Sequence, residues 1–426
     1  MKKYTVALLG AGMRGQSYTN IMAELPEQFQ VVAVAEPVES RREYIRKKHN
    51  IRPEHCYHSW DELLAAPKIA DVAIVSTMDR MHFAPAMEAI EQGYDLLLEK
   101  PIAPTAEECF QIAKRAKECG VKIMVCHVLR YAPFFVKLKK LLDSGIIGKP
   151  MSVIHVEAVG NVHQSHSFVR GNWGNAERSS VMLLQKSCHD LDILQWMLGK
   201  ECKKIQSFGS LKYFTRENAP EGAPDYCIEG CPKADSCYYN AVKLYLEDKD
   251  NTWFRGAATG KYNPTDADVE QALRETQYGK CVFKCDNDVV DHQVVNMELE
   301  DGVTVSFTMA AFNEGGRRIR IMGTDGELFG RVDSETVEVY DFKTRESRTI
   351  SFSEEDVDES INGGHGGGDD GIVNALYAYL SGEISADEVS EIGISYRNHL
   401  PVFAAEKSRR DNVVVDMEEF RREIEK

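Results

Sequence analysis

The sequence predicts an α/β protein in two parts: an N-terminal doubly wound parallel sheet, then an α+β part built on a large, mainly antiparallel open sheet. Three observations predict it. Through about residue 130, short apolar strands alternate with helical stretches, the pattern of a parallel sheet covered on both faces. The first strand runs straight into Gly10-Ala11-Gly12-Met13-Arg14-Gly15. Beyond about residue 150 the runs lengthen and take on partial period-2 alternation, as in a sheet with one face on a core.

Thr5–Leu9 is the first strand and Gln16–Leu25 the helical pattern after it, so G-x-G-x-x-G stands in the context that gives it meaning. Its glycines permit a tight turn and close approach of a pyrophosphate, which then lies at a helix N-terminus. Gly10, Gly12, Met13, Arg14 and Gly15 are therefore candidate cofactor residues. The second strand, 30–35, ends on Glu36, where a carboxylate holds the adenosine ribose hydroxyls. Glu36 would repel a 2′-phosphate and favours NAD; Arg41 and Arg42 follow it and leave NADP open.

Helical stretches at 40–48 and 60–65 lead to strand 72–75, which ends in Ser76-Thr77, with His82 opening the next helix. Ser76, Thr77 and His82 are expected to face the ribose or nicotinamide. Strand 95–98 ends on Glu99-Lys100-Pro101. Ligands of open α/β sheets bind beyond the carboxyl ends of strands, and an ammonium there needs a partner, so Glu99 and Lys100 are expected beside the cofactor. Helix 105–119 and strand 122–125 complete six strands of parallel type. The dinucleotide-binding domain is assigned to 1–130 and the second domain to 131–426.

In the second part, 152–159, 204–213, 294–300, 303–312 and 318–322 read as strands, with a turn at Gly323-Thr324-Asp325-Gly326. One face of this sheet should lie on helices and the other remain free for a subunit. Late helices at about 370–381 and 387–409 are expected to pack back on the first domain.

Composition sets outer bounds. The 426 residues carry 67 acidic against 51 basic side chains, a net charge of −16, poorly suited to nucleic acid or anionic membrane surfaces. No run approaches the roughly 18 apolar residues of a membrane span. The apolar stretch after Met1-Lys2-Lys3 reaches Gly10 and Arg14 too soon for a secretory signal, so a cytoplasmic protein is expected. Eleven cysteines, an odd number, do not describe a disulfide scaffold. Cys227, Cys231 and Cys237 form C-x3-C-x5-C, and Cys281 and Cys285 form C-x3-C, within an insertion at 215–285. Thiolates so concentrated predict one structural zinc, held by Cys227, Cys231, Cys237 and Cys285; free thiols are the alternative.

Four motifs, in order, carry a family resemblance: the glycine motif, Glu99-Lys100-Pro101, Arg130-Tyr131-Ala132-Pro133 and His189-Asp190-Leu191-Asp192. Together the chain resembles the Gfo/Idh/MocA oxidoreductases, such as glucose–fructose oxidoreductase and inositol dehydrogenase. The resemblance implies an open C-terminal sheet, often in homodimers or homotetramers. It implies a catalytic His at His189 and, four residues before it, an Asp on the same helix face. That position holds Gln185, which cannot orient His189 by charge, and Lys186 is the adjacent new cation.

His189 is then the expected general base, with Lys100 polarising the reacting hydroxyl. Arg130, Tyr131, Gln185, Lys186 and Asp192 are expected near the substrate. So are Glu157, His163, His166, Arg170, Asn172 and Trp173, a stretch dense in hydrogen-bonding groups with an aromatic plate, suited to a sugar or polyol. His365 and Asp369 in and beside the glycine-rich stretch at 363–368 are expected to extend the same cleft as a mobile contribution. The reading is an NAD- or NADP-dependent oxidoreductase acting on a secondary hydroxyl of a sugar, glycoside or polyol. Its rivals are a glycosidase working by transient sugar oxidation, and a non-catalytic dinucleotide-sensing subunit.

Overall fold

The computed structural model describes residues 2–334, 336–352 and 366–426. The first sheet contains β1 (Tyr4–Leu9), β2 (Phe29–Ala35), β3 (Cys56–Tyr57), β4 (Val72–Val75), β5 (Asp95–Leu98) and β6 (Ile123–Val125). All pairs are parallel, in the order β3-β2-β1-β4-β5-β6. Helices α1 (Met13–Ala23), α2 (Glu39–Lys48), α3 (Trp60–Ala65), α4 (Phe83–Glu91) and α5 (Ala106–Cys119) make the crossovers. Every residue of β4 and the three leucines of β5 are buried, because helices cover both faces and leave no solvent side for polar alternation. Helix α5 shows how sharply the sequence marks its ends: the Thr105 hydroxyl accepts from Glu108 N, and Gly120 closes the helix at φ 68°. The strand order reverses between β1 and β4. Their carboxyl ends, with that of β5, therefore open on one crevice, and the glycine motif, Ser76 and Lys100 all follow directly from those ends.

After α6 (Pro133–Asp143), β7 (Pro150–Ala158) begins the second sheet. A one-turn helix α7 (Asn161–His163) and a wide turn at Gln164–Arg170 lead to α8 (Met182–Leu198), then β8 (Cys202–Ser210). The insertion follows, with α9 (Thr252–Thr259) and α10 (Asp266–Glu275). The remaining strands are β9 (His292–Leu299), β10 (Thr304–Ala310), β11 (Gly316–Gly323), β12 (Gly326–Arg331), β13 (Thr336–Asp341) and β14 (Glu346–Ser351). The chain closes with α11 (Gly368–Ser381), α12 (Ile392–Asp411), β15 (Val415–Asp416) and α13 (Met417–Ile424). The nine strands run β14-β13-β12-β11-β7-β10-β9-β8-β15, antiparallel except for β7 beside β10.

Alternation fixes the faces. Val153, His155 and Glu157 of β7 point inward and are buried, while Ile154 between them is 47% exposed. The inner face packs on α8 and α12, whose Leu184, Leu191 and Leu400 share a core with Val295, Met297 and Phe307. Helix α11 returns to the first sheet: Ile372, Val373 and Leu376 pack with Val6, Leu8 and Val31, and Tyr377 meets Tyr4 and Phe29 edge-on at 5.8 Å each.

The predicted α/β class, with one parallel and one mainly antiparallel sheet, is the observed one. Two elements depart from expectation. The second sheet extends past the Gly323–Gly326 turn to β13 and β14, and β14 is almost wholly exposed, so it lacks the apolar alternation that announces a strand. The last long helix starts at Ile392, not 387. Residues 386–388 form a separate turn capped by Ser385, whose hydroxyl and backbone meet Glu388.

Candidate functional site

The crevice is lined first by the glycine motif. Gly10 has φ +94°, and a Cβ there would come within 2.7 Å of the Ser76 carbonyl oxygen; one at Gly15 would meet the Gly10 carbonyl oxygen at 2.3 Å. Both glycines are needed for the loop to lie against β4 and α1. At Gly12 a Cβ would meet nothing of the protein within 4 Å, so this glycine answers to something else, as close approach of a pyrophosphate requires. The Ser76 hydroxyl donates to Gly10 O at 2.8 Å and the Thr77 hydroxyl to Met81 O at 3.0 Å. His82 bridges Pro101 O and Thr77 O at 2.7 and 3.1 Å. Ser76 thus ties the loop after β4 to the glycine loop after β1, Thr77 braces its own loop, and His82 ties that loop to the one after β5.

Glu36 is buried at the end of β2 and accepts from Ala11 N at 2.7 Å and Val38 N at 2.9 Å. It thereby faces the glycine loop. Arg42 donates to Glu36 O, and Arg41 to Gly260 O of the insertion. Exposed Met13 opens α1 at the loop's far side. The residues present fit a dinucleotide.

Arg14 and Glu99 have a different setting from the one expected beside the cofactor. Arg14 Nε donates to Glu99 at 2.8 Å, and its other nitrogens donate to both oxygens of Asp369 at 2.8 Å. Tyr18 Oη donates to Glu99 at 2.7 Å, and the Lys100 backbone N–H to its other oxygen at 2.8 Å. Burial pushes the Glu99 carboxyl up, but Arg14, Lys100 and Tyr18 outweigh it and hold it below the usual carboxylate range. Asp369, expected as a mobile part of the cleft, is 2% exposed and fixed in this network. The expected contribution of His365 lies outside the described residues.

Lys100 itself turns toward α8, its Nζ donating to Gln185 O at 2.9 Å. Gln185, Lys186 and His189 lie three and four residues apart on one side of that helix. Lys186 Nζ is 3.3 Å from Glu157 on β7. Arg317 on β11 places its Nε 2.8 Å from both Glu157 and Asp190; its hydrogen bond goes to Asp190, and Glu157 is held by charge. His155 bonds the same Asp190 oxygen at 2.8 Å. Burial lowers the Lys186 pKa, with Glu157 acting against it. Burial, then the nearby Lys186, His166, Arg317 and Lys100, push His163 down to about 2, so its imidazole is neutral at any working pH. Lys100, His163, Gln185, Lys186, His189 and Glu157 are thus brought together.

Other candidates are placed elsewhere. Arg130 forms a two-pronged pair with Asp192, at 2.7 and 2.5 Å, and Asn398 adds a hydrogen bond at 2.8 Å; all are buried. Tyr131 bonds Ser390. His166 stacks on Phe254 of α9 at 3.9 Å and bonds Tyr245 Oη. Arg170 is 1% exposed and donates to Lys280 O and Tyr239 O, pinning the insertion. Asn172 Nδ2 and Trp173 Nε1 are buried donors with no hydrogen-bond partner among the described residues, and such orphans call for a ligand or water. Sequence reasoning did not single out His155, Asp190, Arg317 or His127. Asp190 adjoins a named motif, but Arg317 lies 127 residues from its partner and carries no local signal. His127 is fully buried, edge-on to His189 at 5.9 Å and 3.6 Å from Asp192.

The expected zinc is corrected. Among the described residues no group of three or more His, Cys, Asp or Glu side chains is arranged to hold a metal ion. Cys227, Cys231, Cys237 and Cys281 line a small apolar cavity with Pro220, Ala223 and Phe283, and Cys285 donates to Cys281 O. Burial raises the thiol pKa of Cys237 and Cys281 and takes Cys285 up to about 11. Burial thus favours the protonated thiol over a thiolate ligand at Cys237, Cys281 and Cys285.

Comparisons with known proteins agree with this geometry. Residues 4–127 match the family model described as an oxidoreductase family with an NAD-binding Rossmann fold, and residues 139–376 the model of its C-terminal alpha/beta domain. The chain is 24% identical over 346 residues to YteT of Bacillus subtilis (strain 168), covering 76% of each. It is 24% identical over 206 residues to inositol 2-dehydrogenase/D-chiro-inositol 3-dehydrogenase of Lactiplantibacillus plantarum, which is 48% of this chain and only 55% of that protein. Among solved structures, levoglucosan dehydrogenase in complex with NADH and levoglucosan aligns with a TM-score of 0.70 at 18% identity, over 98% of this chain and 100% of that one. Among the described residues no helix is long and apolar enough to cross a membrane.

The Arg130–Asp192 pair ties the start of α6 to α8 beneath the site. Burial acts to raise the Asp192 carboxyl, but Arg130 and His127 bring it down to about 2, against about 3.9 in an unfolded chain. Its stabilisation is therefore complete above pH ~4 and fades as pH falls toward 2. Arg130→Met is expected to cost about 3–5 kcal/mol by urea unfolding at pH 7. The gap between wild type and Asp192→Asn should narrow as pH is lowered from 5 toward 3; a constant gap would contradict the assignment.

Proposed function

The chain belongs to the Gfo/Idh/MocA oxidoreductase family, and from that we propose an NAD-dependent dehydrogenase acting on a secondary hydroxyl of a sugar, glycoside or polyol. The observation that carries the reading is the meeting of Lys100, at the carboxyl end of β5, with the His189 side of α8 beside a dinucleotide crevice. Residues 1–130 act as the cofactor domain and 131–426 as the substrate domain. NAD is preferred to NADP because Glu36 faces the ribose position and both neighbouring arginines are engaged with backbone carbonyls.

The bound nicotinamide supplies the hydride acceptor or donor. Lys100 orients the substrate oxygen and stabilises negative charge on it. His189 takes the hydroxyl proton in the oxidative direction and returns it in reverse. Gln185 gives His189 no charge support, so the carboxylates that balance the site lie one layer out: Glu157 holds Lys186, and Asp190 holds Arg317 and His155. Asn172 and Trp173, with their unused donors, and neutral His163 supply hydrogen bonds and an apolar plate for a ring rich in hydroxyls. The inositol and levoglucosan dehydrogenases among the similar proteins support this substrate class.

Lys186 and Glu157 are more titratable groups than a single hydride transfer needs. That favours, as a second reading, oxidation followed by elimination, hydration and re-reduction of a glycoside. Net NADH formation with an intact glycosidic bond supports the dehydrogenase; aglycone release without net NADH supports the cycle. Lys100→Met is expected to lower kcat about a thousandfold with NADH binding retained; unchanged turnover would overturn the catalytic assignment.

The same proposal covers assembly and location. The outer face of the second sheet exposes Ile154, Phe208 and Phe329 among polar residues, and a homodimer or homotetramer would bury them. Ile154→Glu with Phe208→Glu should reduce the mass measured by light scattering to that of one chain, and an unchanged mass would exclude this interface. Eleven unpaired cysteines suit a reducing cytoplasm.

A further inference from the structure

Among the described residues, the insertion between β8 and β9 meets the dinucleotide-binding domain at helix α2. Arg41 Nη2 donates to Gly260 O at 3.1 Å. One turn on, Tyr44 stacks on Tyr262 with ring centroids 4.9 Å apart and planes at 27°. Helix α2 follows directly from Glu36, the residue at the adenosine ribose position. The loop that reaches it is held stiffly. Gly260 ends α9 in the left-handed conformation at φ +69°, with its N–H on Gly256 O. Lys261 pairs with Asp268, and Thr265 caps α10 through a reciprocal bond with the same Asp268. Arg255 donates to Asp266 at 2.7 Å.

The other end of the same body lies at the substrate side. Phe254 of α9 stacks on His166, in the turn that leads to Asn172 and Trp173. One rigid insertion thus joins the loop beside the reacting centre to the helix beside the adenosine.

We infer that the Gly260–Tyr262 loop is the outer wall of the adenosine subsite, and that Arg41, Tyr44 and Tyr262 retain the adenosine half of the dinucleotide. Gly260 holds the Arg41 guanidinium beside the ribose edge, where an otherwise free arginine would attract a 2′-phosphate. The Tyr44–Tyr262 stack keeps the wall closed across a boundary that the two domains would otherwise open. The inference rests on the dinucleotide site alone and is independent of the substrate.

The test is binding of NADH and of ADP-ribose, by fluorescence and calorimetry, to the full-length protein and its Tyr262→Ala and Arg41→Ala variants. Both variants should weaken both ligands by a similar factor, about fivefold to tenfold, and speed NADH release. Arg274→Ala, which removes an exposed ion pair with Glu270 along α10, should leave both dissociation constants within about twofold. Unchanged ADP-ribose affinity in both variants, even with a lowered melting temperature, would overturn the inference and leave the contact merely structural. Failure of ADP-ribose to bind the unaltered protein would overturn the dinucleotide reading as well.

Discussion

The arrangement depends on one buried charge cluster, Arg14–Glu99–Asp369 with Tyr18. Its members come from the helix after the glycine motif, the end of β5 and the start of α11. A carboxylate as enclosed as Glu99 stays charged only if cations and donors surround it. Three groups donate to it, Arg14, Tyr18 and the backbone of Lys100. Satisfying Glu99 therefore fixes where the next residue starts, and Lys100 reaches across to α8 from that anchored position. Asp369 brings the C-terminal helix into the same cluster, so the glycine loop, the strand end and the return of the chain to the first sheet are set together.

A second layer of charge does for the substrate side what the first does for the cofactor side. Glu157 and Asp190 are buried on β7 and α8, and Lys186, Arg317 and His155 compensate them. Each carboxylate is met by side chains from two elements, which locks the inner face of the sheet against α8. The absence of a carboxylate at Gln185 is intelligible in that light. A third acid beside Lys186 would compete for a cation already committed to Glu157. Gln185 instead lends Lys100 a backbone carbonyl, which asks for no compensating charge.

What could be read from the sequence was what local physics decides. The glycine motif, the acid at Glu36 and the Glu-Lys-Pro strand end are set by neighbours within a few residues, and the parallel fold follows from runs such as Leu96–Leu98. Pairings over long spans were not legible. Arg317 reads as one of several charges on an edge of alternation, and only folding brings it to Asp190. Arg130, Tyr131 and Asp192 stood in motifs that pointed to a ligand, yet the fold sets them in buried contacts with one another or with α12 and its approach. His166 and Arg170 showed the same limit, since their partners Phe254, Tyr245 and Lys280 lie in the insertion. The cysteine spacing suggested a metal because spacing carries no information on burial. In the fold, Cys227, Cys231, Cys237 and Cys281 instead line an apolar cavity with Pro220, Ala223 and Phe283.

The insertion shows why a domain can be extended at such a site without disturbing it. Much of its packing is internal: Tyr245, Phe254, Val269 and Leu273 form one apolar cluster, while Tyr239 and Phe283 join Phe214, Val169 and Ala311 of the flanking chain in another. It is joined to the sheet domain through Arg170 and His166 and, among the described residues, to α2 of the cofactor domain through the Gly260 carbonyl and the Tyr44–Tyr262 ring stack. A body with its own core loses little further freedom when it makes those contacts. Weak individual interactions at Arg41 and Tyr44 are then enough to hold two domains in register over a cofactor that spans both.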